Sequence, residues 1–98
     1  MASVAKKLSD AAIQQRLAKL KNWQRQGTSI TKEFVLDSFS GATKFIAKIA
    51  PIANRMDHHP DVEIYQYKRV KIILTTHDAN GITKNDFDLA AKIDALPL

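Results

Sequence analysis

Three stretches of the chain carry apolar residues at the spacing of an α-helix. The first stretch follows Ser9, a typical helix N-cap, and predicts an amphipathic helix over residues 10–21. A second stripe predicts a helix from about 39 to 56, and a third predicts a final helix that ends near residue 95. These stripes are expected to pack on a common core.

Two local features modify this picture of the helices. Thr83 and Asp86 have the spacing of a capping box at the start of the last helix, with Asp in place of the usual Glu. Pro51 lies inside the second helix, where a proline costs about 3 kcal/mol because it removes a hydrogen bond and its ring clashes with the preceding turn. We therefore expect a kink or an irregular turn at Pro51.

Four segments rich in β-forming residues lie between the helices. Residues 23–25 and 30–36 are separated by a turn at Gly27, and they are expected to pair as antiparallel strands. Residues 62–67 and 70–76 form a second pair, and the later of the two is the strongest β segment in the chain.

The element order α-β-β-α-β-β-α predicts an α+β fold, in which three helices pack on one face of a four-stranded antiparallel sheet. The chain has 98 residues, the size of one domain, so we expect residues 1–98 to form a single domain. The other face of the sheet and the last helix would need cover. This indicates a homo-oligomer, either a homodimer or a homotetramer.

Composition and charge exclude several classes of function. The net charge is +5, but the 15 Lys and Arg residues are spread along the chain, with no run longer than two and no stripe in which aromatic and basic residues alternate. This pattern argues against nucleic-acid binding as the main function. No apolar run approaches the roughly 20 residues that span a bilayer, and no secretory signal is recognisable, so we expect no membrane association and a cytoplasmic location. The absence of cysteine excludes a disulfide framework and a cysteine nucleophile.

Candidate chemistry is concentrated in three histidines, His58, His59 and His77, which lie within 20 residues of one another. Each is expected at the end of an element: the first two close the second helix, and His77 ends the strongest strand. Side chains at such ends can converge on a cleft. Imidazole both donates and accepts protons near neutral pH, so acid–base catalysis is one interpretation.

The spacing of the histidines leaves two other interpretations open. Three histidines with Asp57, Asp61 or Asp86 would supply enough ligands for zinc, although adjacent histidines are awkward ligands of one ion and no HxxxH or HExxH motif is present. Alternatively, His58 and His59 cap the carbonyl groups at the end of the second helix. Spacing alone does not separate this structural role from catalysis.

A wider set of residues resembles a known signature. The His-His-Pro motif at residues 58–60 is followed after a gap of six residues by Tyr67. His77 follows after a further gap of nine residues, and Asp86 after a gap of eight. This pattern is similar to that of the pterin-4a-carbinolamine dehydratases, and the resemblance extends over nearly the whole chain. The other residues that carry the resemblance are Trp23, Asp57, Thr75, Thr76, Asp78, Gly81, Ile82 and Thr83.

The resemblance implies a dehydratase that converts 4a-hydroxytetrahydrobiopterin to quinonoid dihydrobiopterin and water in tetrahydrobiopterin recycling. It implies that His58 and His77 act as general acids, and that His59 binds the pterin and assists proton removal. Asp86 would orient a histidine or bond to the pterin ring. Such a reaction needs neither a metal nor a redox cofactor. The further substrate-binding residues that the resemblance implies are Asp57, Pro60, Asp61, Tyr67 and Thr76.

The chain departs from the family pattern at two places. The family usually carries an acidic residue four positions before the first histidine, where this chain has Asn54. Because an amide cannot accept a proton, we expect a reduced rate or altered substrate handling. The segment between Pro60 and Tyr67 also takes the longer of the lengths that the family permits, which predicts a bulge or a shifted strand register.

The resemblance also implies a second class of function. Some members of the family act as dimerisation cofactors of a homeodomain transcription factor. A protein-binding coactivator with a transcription-factor partner, or a pterin-binding paralogue without catalysis, is therefore the alternative to the enzyme. Retention of the three histidines and Asp86 favours the enzyme, because a scaffold has no need of this set of residues.

Overall fold

The computed structural model describes residues 5–97, which form three α-helices and a four-stranded antiparallel sheet in the order α-β-β-α-β-β-α. The predicted α+β fold is therefore confirmed. The helices are α1 Asp10–Leu17, α2 Phe39–Met56 and α3 Lys84–Asp94. The strands are β1 Gln24–Gln26, β2 Ser29–Val35, β3 Asp61–Tyr65 and β4 Arg69–Leu74, and a short 3₁₀ turn covers His77–Ala79.

The strand order in the sheet is β1-β2-β4-β3, so β2 and β4 form its centre. These two strands pair from Ile30↔Leu74 to Val35↔Arg69. On β4, alternate residues from Val70 to Leu74 are fully buried, and the residues between them are half-buried. The core lies between this buried face of the sheet and the three helices.

Local capping sets the beginnings of the first two helices. The Ser9 hydroxyl accepts the Ala12 N–H at 3.2 Å, and the Ser38 hydroxyl accepts the Gly41 N–H at 2.9 Å. Each contact satisfies a backbone donor that the first turn leaves unpaired. Gly27 has a φ of +60° in the turn between β1 and β2, a conformation that glycine adopts without steric cost.

The predicted end of α1 was wrong, because the helix stops at Leu17 rather than near residue 21. Beyond it the backbone tightens into i→i+3 bonds, in which Leu20 N–H donates to the Leu17 carbonyl at 3.0 Å. Leu20 still packs against the core from this turn. The apolar pattern therefore continues past the end of the helix.

The irregular turn expected at Pro51 is absent, because α2 is helical over its whole length. Pro51 removes the N–H that would pair with the Ala47 carbonyl. Both residues are exposed, so water can satisfy that carbonyl group.

The expected bulge between Pro60 and Tyr67 is also wrong. All of β3 pairs residue for residue with β4, and the strand ends at Tyr65. The remaining length lies in the turn, where Gln66 and Tyr67 adopt φ values of 47° and 55°. At the other end of β4 the strand stops at Leu74, so His77 begins a 3₁₀ turn instead of ending a strand.

A polar contact ties the end of α3 to the sheet. Trp23, which lies just before β1 rather than within it, is buried and donates its indole N–H to Asp94 Oδ2 at 2.9 Å. Lys32 Nζ lies 2.8 Å from Asp94 Oδ1 and 4.7 Å from the centre of the Phe34 ring. One carboxylate therefore joins α3 to β2 and to the residue that precedes β1.

Cover for the outer surface remains a prediction. α3 already buries five of its residues, whereas the sheet face away from the helices carries polar side chains such as Glu33 and Arg69, which form an ion pair at 2.7 Å. The large apolar side chains that remain exposed are Val35, Phe39, Ile64, Tyr65 and Tyr67. Within residues 5–97, no helix has both the length and the apolar character needed to cross a membrane.

Candidate active site

The backbone, not the histidine side chains, caps the end of α2. Asp57 adopts a left-handed conformation with a φ of 50°, and its N–H donates to the Asn54 carbonyl at 3.2 Å. The His58 N–H donates to the Ala53 carbonyl at 3.1 Å. The interpretation in which the imidazole rings cap these carbonyl groups is therefore wrong, and both rings are available for other contacts.

The His58 ring binds a buried carboxylate on α3. Its Nε2 lies 2.6 Å from Asp86 Oδ1, and the side chains are 11% and 0% exposed. Asp86 Oδ2 accepts the Thr83 N–H at 2.9 Å, and this contact completes the predicted capping box of α3. The same carboxyl group therefore caps a helix and holds a candidate catalytic histidine.

Two threonine hydroxyls extend this network into the core. Thr76 Oγ1 donates to Asp86 Oδ2 at 2.9 Å and lies 2.7 Å from Thr83 Oγ1, which we interpret as the donor to Thr76. All three residues are buried. Within residues 5–97, every buried side-chain nitrogen or oxygen has a hydrogen-bond partner. A fully satisfied network of this kind fixes the side chains that take part in it.

The second histidine has a different partner. His59 Nε2 lies 2.9 Å from Asn54 Oδ1, and both residues are exposed. Asn54 is in the last turn of α2, so a helix residue holds the ring of a residue that follows the helix. The position at which the chain departs from the family pattern is thus in direct contact with a candidate catalytic residue.

The third histidine comes from the loop after β4. A bridge between Thr76 and Gly81 closes this loop, and the 3₁₀ turn that begins at His77 lies inside it. His77 is exposed. The loop brings His77 to the end of α2, where the other two histidines lie.

These elements surround one cleft of about 230 Å³. The residues that line the cleft are Asp57, His58, His59, Thr75, Thr76, His77 and Asp78. Five of the nine predicted site residues thus share this cleft, and Asp86 lies behind it through its contact with His58.

The other predicted site residues, Pro60, Asp61 and Tyr67, do not line this cleft. Tyr67 is 61% exposed in the turn at the far end of β3, and the five residues of that strand separate it from the histidines by more than about 13 Å. Their roles in binding remain predictions.

Sequence reasoning missed Thr83 as a member of the site. Its capping-box spacing to Asp86 was the available signal, because a capping box brings the backbone N–H of Thr83 into contact with the Asp86 carboxyl group.

Four larger clefts lie elsewhere, and two of them, along α1 and α3 and beside Asp94, have volumes of about 400 Å³. None of the four is lined by a histidine. We assign the candidate site to the smaller cleft because acid–base chemistry depends on the groups that line a cleft more than on its volume.

The arrangement is suited to proton transfer. Three imidazoles face one cleft, one of them on a buried carboxylate and one on a neutral amide. In the part of the chain that the structure describes, no three His, Cys, Asp or Glu side chains are grouped to hold a metal ion. The fold and the cleft together define a small α+β protein with three histidines at one cleft.

Comparison with known proteins gives the family. The model of the family "Pterin 4 alpha carbinolamine dehydratase" matches residues 6–96, so the chain belongs to this family. A relative from Roseiflexus sp. (strain RS-1), named "Putative pterin-4-alpha-carbinolamine dehydratase", is 47% identical over 93 residues, which are 95% of this chain and 99% of the relative. A relative of the same name from Sulfurisphaera tokodaii is 50% identical over 91 residues, or 93% and 97% of the two chains.

Two solved structures resemble the fold. A "transcriptional coactivator/pterin dehydratase" from Brucella Melitensis is 35% identical, with a TM-score of 0.86 over 92% of this chain and 97% of the other. A pterin dehydratase-like protein identified as a RuBisCO assembly factor is 20% identical, with a TM-score of 0.59 over 74% and 83% of the two chains. This second similarity concerns the fold alone.

Proposed function

We propose that this protein is a dehydratase that converts 4a-hydroxytetrahydrobiopterin to quinonoid dihydrobiopterin and water. The observation that carries the proposal is the cleft in which His58, His59 and His77 meet, with His58 held by the buried Asp86. Membership of the pterin-4a-carbinolamine dehydratase family supplies the class of substrate. Tetrahydrobiopterin recycling is the proposed context.

The reaction needs two proton transfers. The bond between C4a and the hydroxyl oxygen breaks, and the oxygen leaves as water after it receives a proton from a general acid. The electron pair of the N5–H bond forms the new C4a–N5 double bond, and the N5 proton passes to a base. No electron acceptor takes part. A single positioned acid or base typically contributes about 10²–10⁴-fold to the rate.

We assign the acid roles to His58 and His77 and proton removal at N5 to His59. His58 Nε2 is bound to Asp86 Oδ1, so Nδ1 is the nitrogen through which His58 serves the substrate. His59 and His77 are exposed at the cleft, where both can reach a bound ligand. Asp86 is a positioning residue, because it is fully buried and reaches the cleft only through His58 and Thr76.

The test is a turnover assay in which an aromatic amino acid hydroxylase generates the 4a-carbinolamine and its ultraviolet absorbance is followed. The wild-type protein should accelerate the decay over the uncatalysed rate, and His59→Ala should lose about 10²-fold or more while it remains folded. Lys48→Ala, at an exposed position on α2 away from the cleft, is the matched control and should retain activity. Near-normal turnover by His59→Ala would refute the role of His59, and no acceleration by folded wild-type protein would refute the dehydratase.

A protein-binding function is the second candidate, and the description of the Brucella Melitensis structure as a transcriptional coactivator supports it. The two candidates separate in one pair of experiments. Turnover with no partner captured from cell extract supports the enzyme, whereas a captured transcription factor together with no turnover supports the coactivator.

We also propose that the protein forms a homodimer or homotetramer, as expected from the sequence. The exposed apolar side chains, which include Phe39 and Tyr67, support an interface between copies. Sedimentation equilibrium measures the oligomeric state directly, and a monomer at micromolar concentration would contradict the proposal.

A further inference from the structure

The two adjacent histidines differ in the charge of the groups that hold them. The partner of His58 is the carboxyl group of Asp86 at 2.6 Å, whereas the partner of His59 is the amide of Asn54 at 2.9 Å. Both contacts use Nε2 of the imidazole. The geometry of the two contacts is therefore similar, but only the carboxylate can neutralise a positive charge on the ring.

We infer that Asn54 is a positioning residue that keeps the proton of neutral His59 on Nε2 and so makes Nδ1 its proton-accepting atom. The inference rests on the proposed function and deepens it. Asn54 Oδ1 can only accept a hydrogen bond, so the nitrogen that faces it must carry hydrogen. A neutral imidazole carries one N–H, and its other nitrogen then holds the lone pair.

The hydrogen bond between His59 and Asn54 is kept when the His59 ring gains a proton. When Nδ1 of His59 takes a proton, the imidazolium still carries its Nε2–H, and Asn54 Oδ1 still accepts it. The ring therefore need not rotate when it gains or loses the proton. A fixed ring keeps Nδ1 at one place relative to N5 of the pterin, and fixed placement is itself a contribution to the rate.

The two histidines therefore lie in different electrostatic surroundings. The His58 ring faces a carboxyl group that is fully buried, whereas the His59 ring faces a neutral amide. The Asn54 contact thus orients the His59 ring through a hydrogen bond alone, without an ion pair.

The position of Asn54 explains how an amide can replace the acidic residue that the family usually carries there. Asn54 lies one helical turn before His58, in the last turn of α2, and its backbone carbonyl also accepts the N–H of the helix-ending residue Asp57. Asparagine keeps an oxygen acceptor at the site that a carboxylate would occupy and removes only the charge. Asn54 therefore offers the His59 ring an oxygen acceptor without the charge of a carboxylate.

Two measurements test the inference, one of which does not depend on activity. Long-range ¹H–¹⁵N spectra assign the tautomer of each histidine ring in solution. We expect neutral His59 to carry its proton on Nε2 in the wild-type protein and in Asn54→Asp, and to populate both tautomers in Asn54→Ala. Arg55→Ala, which removes the neighbouring exposed side chain of α2, is the control and should give the wild-type spectrum.

The second measurement is the turnover of the same variants. Asn54→Ala should reduce kcat by between about ten- and a hundredfold with little change in KM, because the ring is less well placed. Asn54→Asp should restore kcat at its optimum and move the acidic limb of the pH profile to higher pH, because a carboxylate favours the protonated ring. Arg55→Ala should leave both parameters unchanged.

The outcomes separate this inference from the proposed function. An Nδ1–H tautomer of wild-type His59, which would mean that the Asn54 amide donates from its nitrogen, overturns the inference even if the protein is active. Unchanged tautomer and kcat in Asn54→Ala also overturn it. The expected tautomers in a protein without turnover would support the hold of Asn54 on the ring and refute the dehydratase.

Discussion

Replacement of Thr76 by valine tests the buried network that holds His58. The Thr76 hydroxyl donates to Asp86 Oδ2 and accepts from Thr83. Its removal therefore leaves the Asp86 carboxyl group without one of its donors and the Thr83 hydroxyl without its acceptor. Both of these groups are completely inaccessible to water. Valine has nearly the shape of threonine, so the substitution changes hydrogen bonding without creating a cavity.

The expected cost follows from these contacts. A hydrogen bond to a charged group contributes about 1.5–3 kcal/mol, and an unsatisfied buried hydroxyl costs about 1–3 kcal/mol. Part of the second cost is relieved if Thr83 rotates its hydroxyl, so we expect Thr76→Val to lower the free energy of unfolding by about 2–3 kcal/mol. For a domain of this size, that corresponds to a fall in Tm of roughly 10–20 °C.

Urea unfolding followed by the fluorescence of Trp23, the single tryptophan, measures this change. Thr75→Val is the matched control, because the Thr75 hydroxyl donates to the Thr28 carbonyl at 2.6 Å at an exposed site where water can replace it. Its cost should stay below about 1 kcal/mol. Thr76→Ser, which keeps the hydroxyl, should recover most of the stability. If Thr76→Val costs no more than Thr75→Val, the network does not stabilise the fold as reasoned here.

Two further predictions concern charged contacts away from the cleft. Asp94→Ala should lower the free energy of unfolding by about 1–2 kcal/mol, because it leaves the half-buried ammonium of Lys32 and the Trp23 N–H without their acceptor. In a Lys32→Met background, the same substitution should cost less in denaturant unfolding. An equal cost in both backgrounds would argue against the ion pair. The hydrogen bond and the positive charge of Arg25 lower the pKa of Asp10 below its ordinary value of 3.8, so this contact stabilises the fold above that value and its contribution is lost as the pH falls through the lowered pKa. In Arg25→Gln the pKa of Asp10, measured from its carboxyl ¹³C shift, should rise toward 3.8, and an unchanged pKa would contradict the assignment.

The sequence predicts those features that depend on neighbouring residues. The N-cap at Ser9 and the capping box of Thr83 and Asp86 each involve contacts over three residues, so local chemistry is sufficient to find them. The end of α1 escaped prediction because Leu20 packs on the core from a turn as well as it would from a helix. The spacing of apolar residues indicates which side of a segment is buried, but it does not indicate the backbone conformation of that segment.

In the candidate site, too, the sequence predicts which residues take part but not how tertiary packing pairs them. The resemblance implied that Asp86 would orient a histidine or bond to the pterin ring, but it did not say which histidine, because His58 and Asp86 are 28 residues apart in the sequence. Adjacent histidines look equivalent in a sequence. Only the left-handed turn at Asp57, followed by tertiary packing, directs one ring to α3 and leaves the other against α2.

The strand order of the sheet has a consequence for how the molecule can be divided. Because β2 pairs with β4, the centre of the sheet joins the first half of the chain to the second, and each half alone contains only one two-stranded hairpin. An isolated hairpin is at best marginally stable in water. The cleft is divided in the same way, since His58 and His59 precede β3 whereas His77 and Asp86 follow β4. Two fragments divided between α2 and β3, after His59, should therefore be largely unfolded apart, and the cleft should form only when they associate.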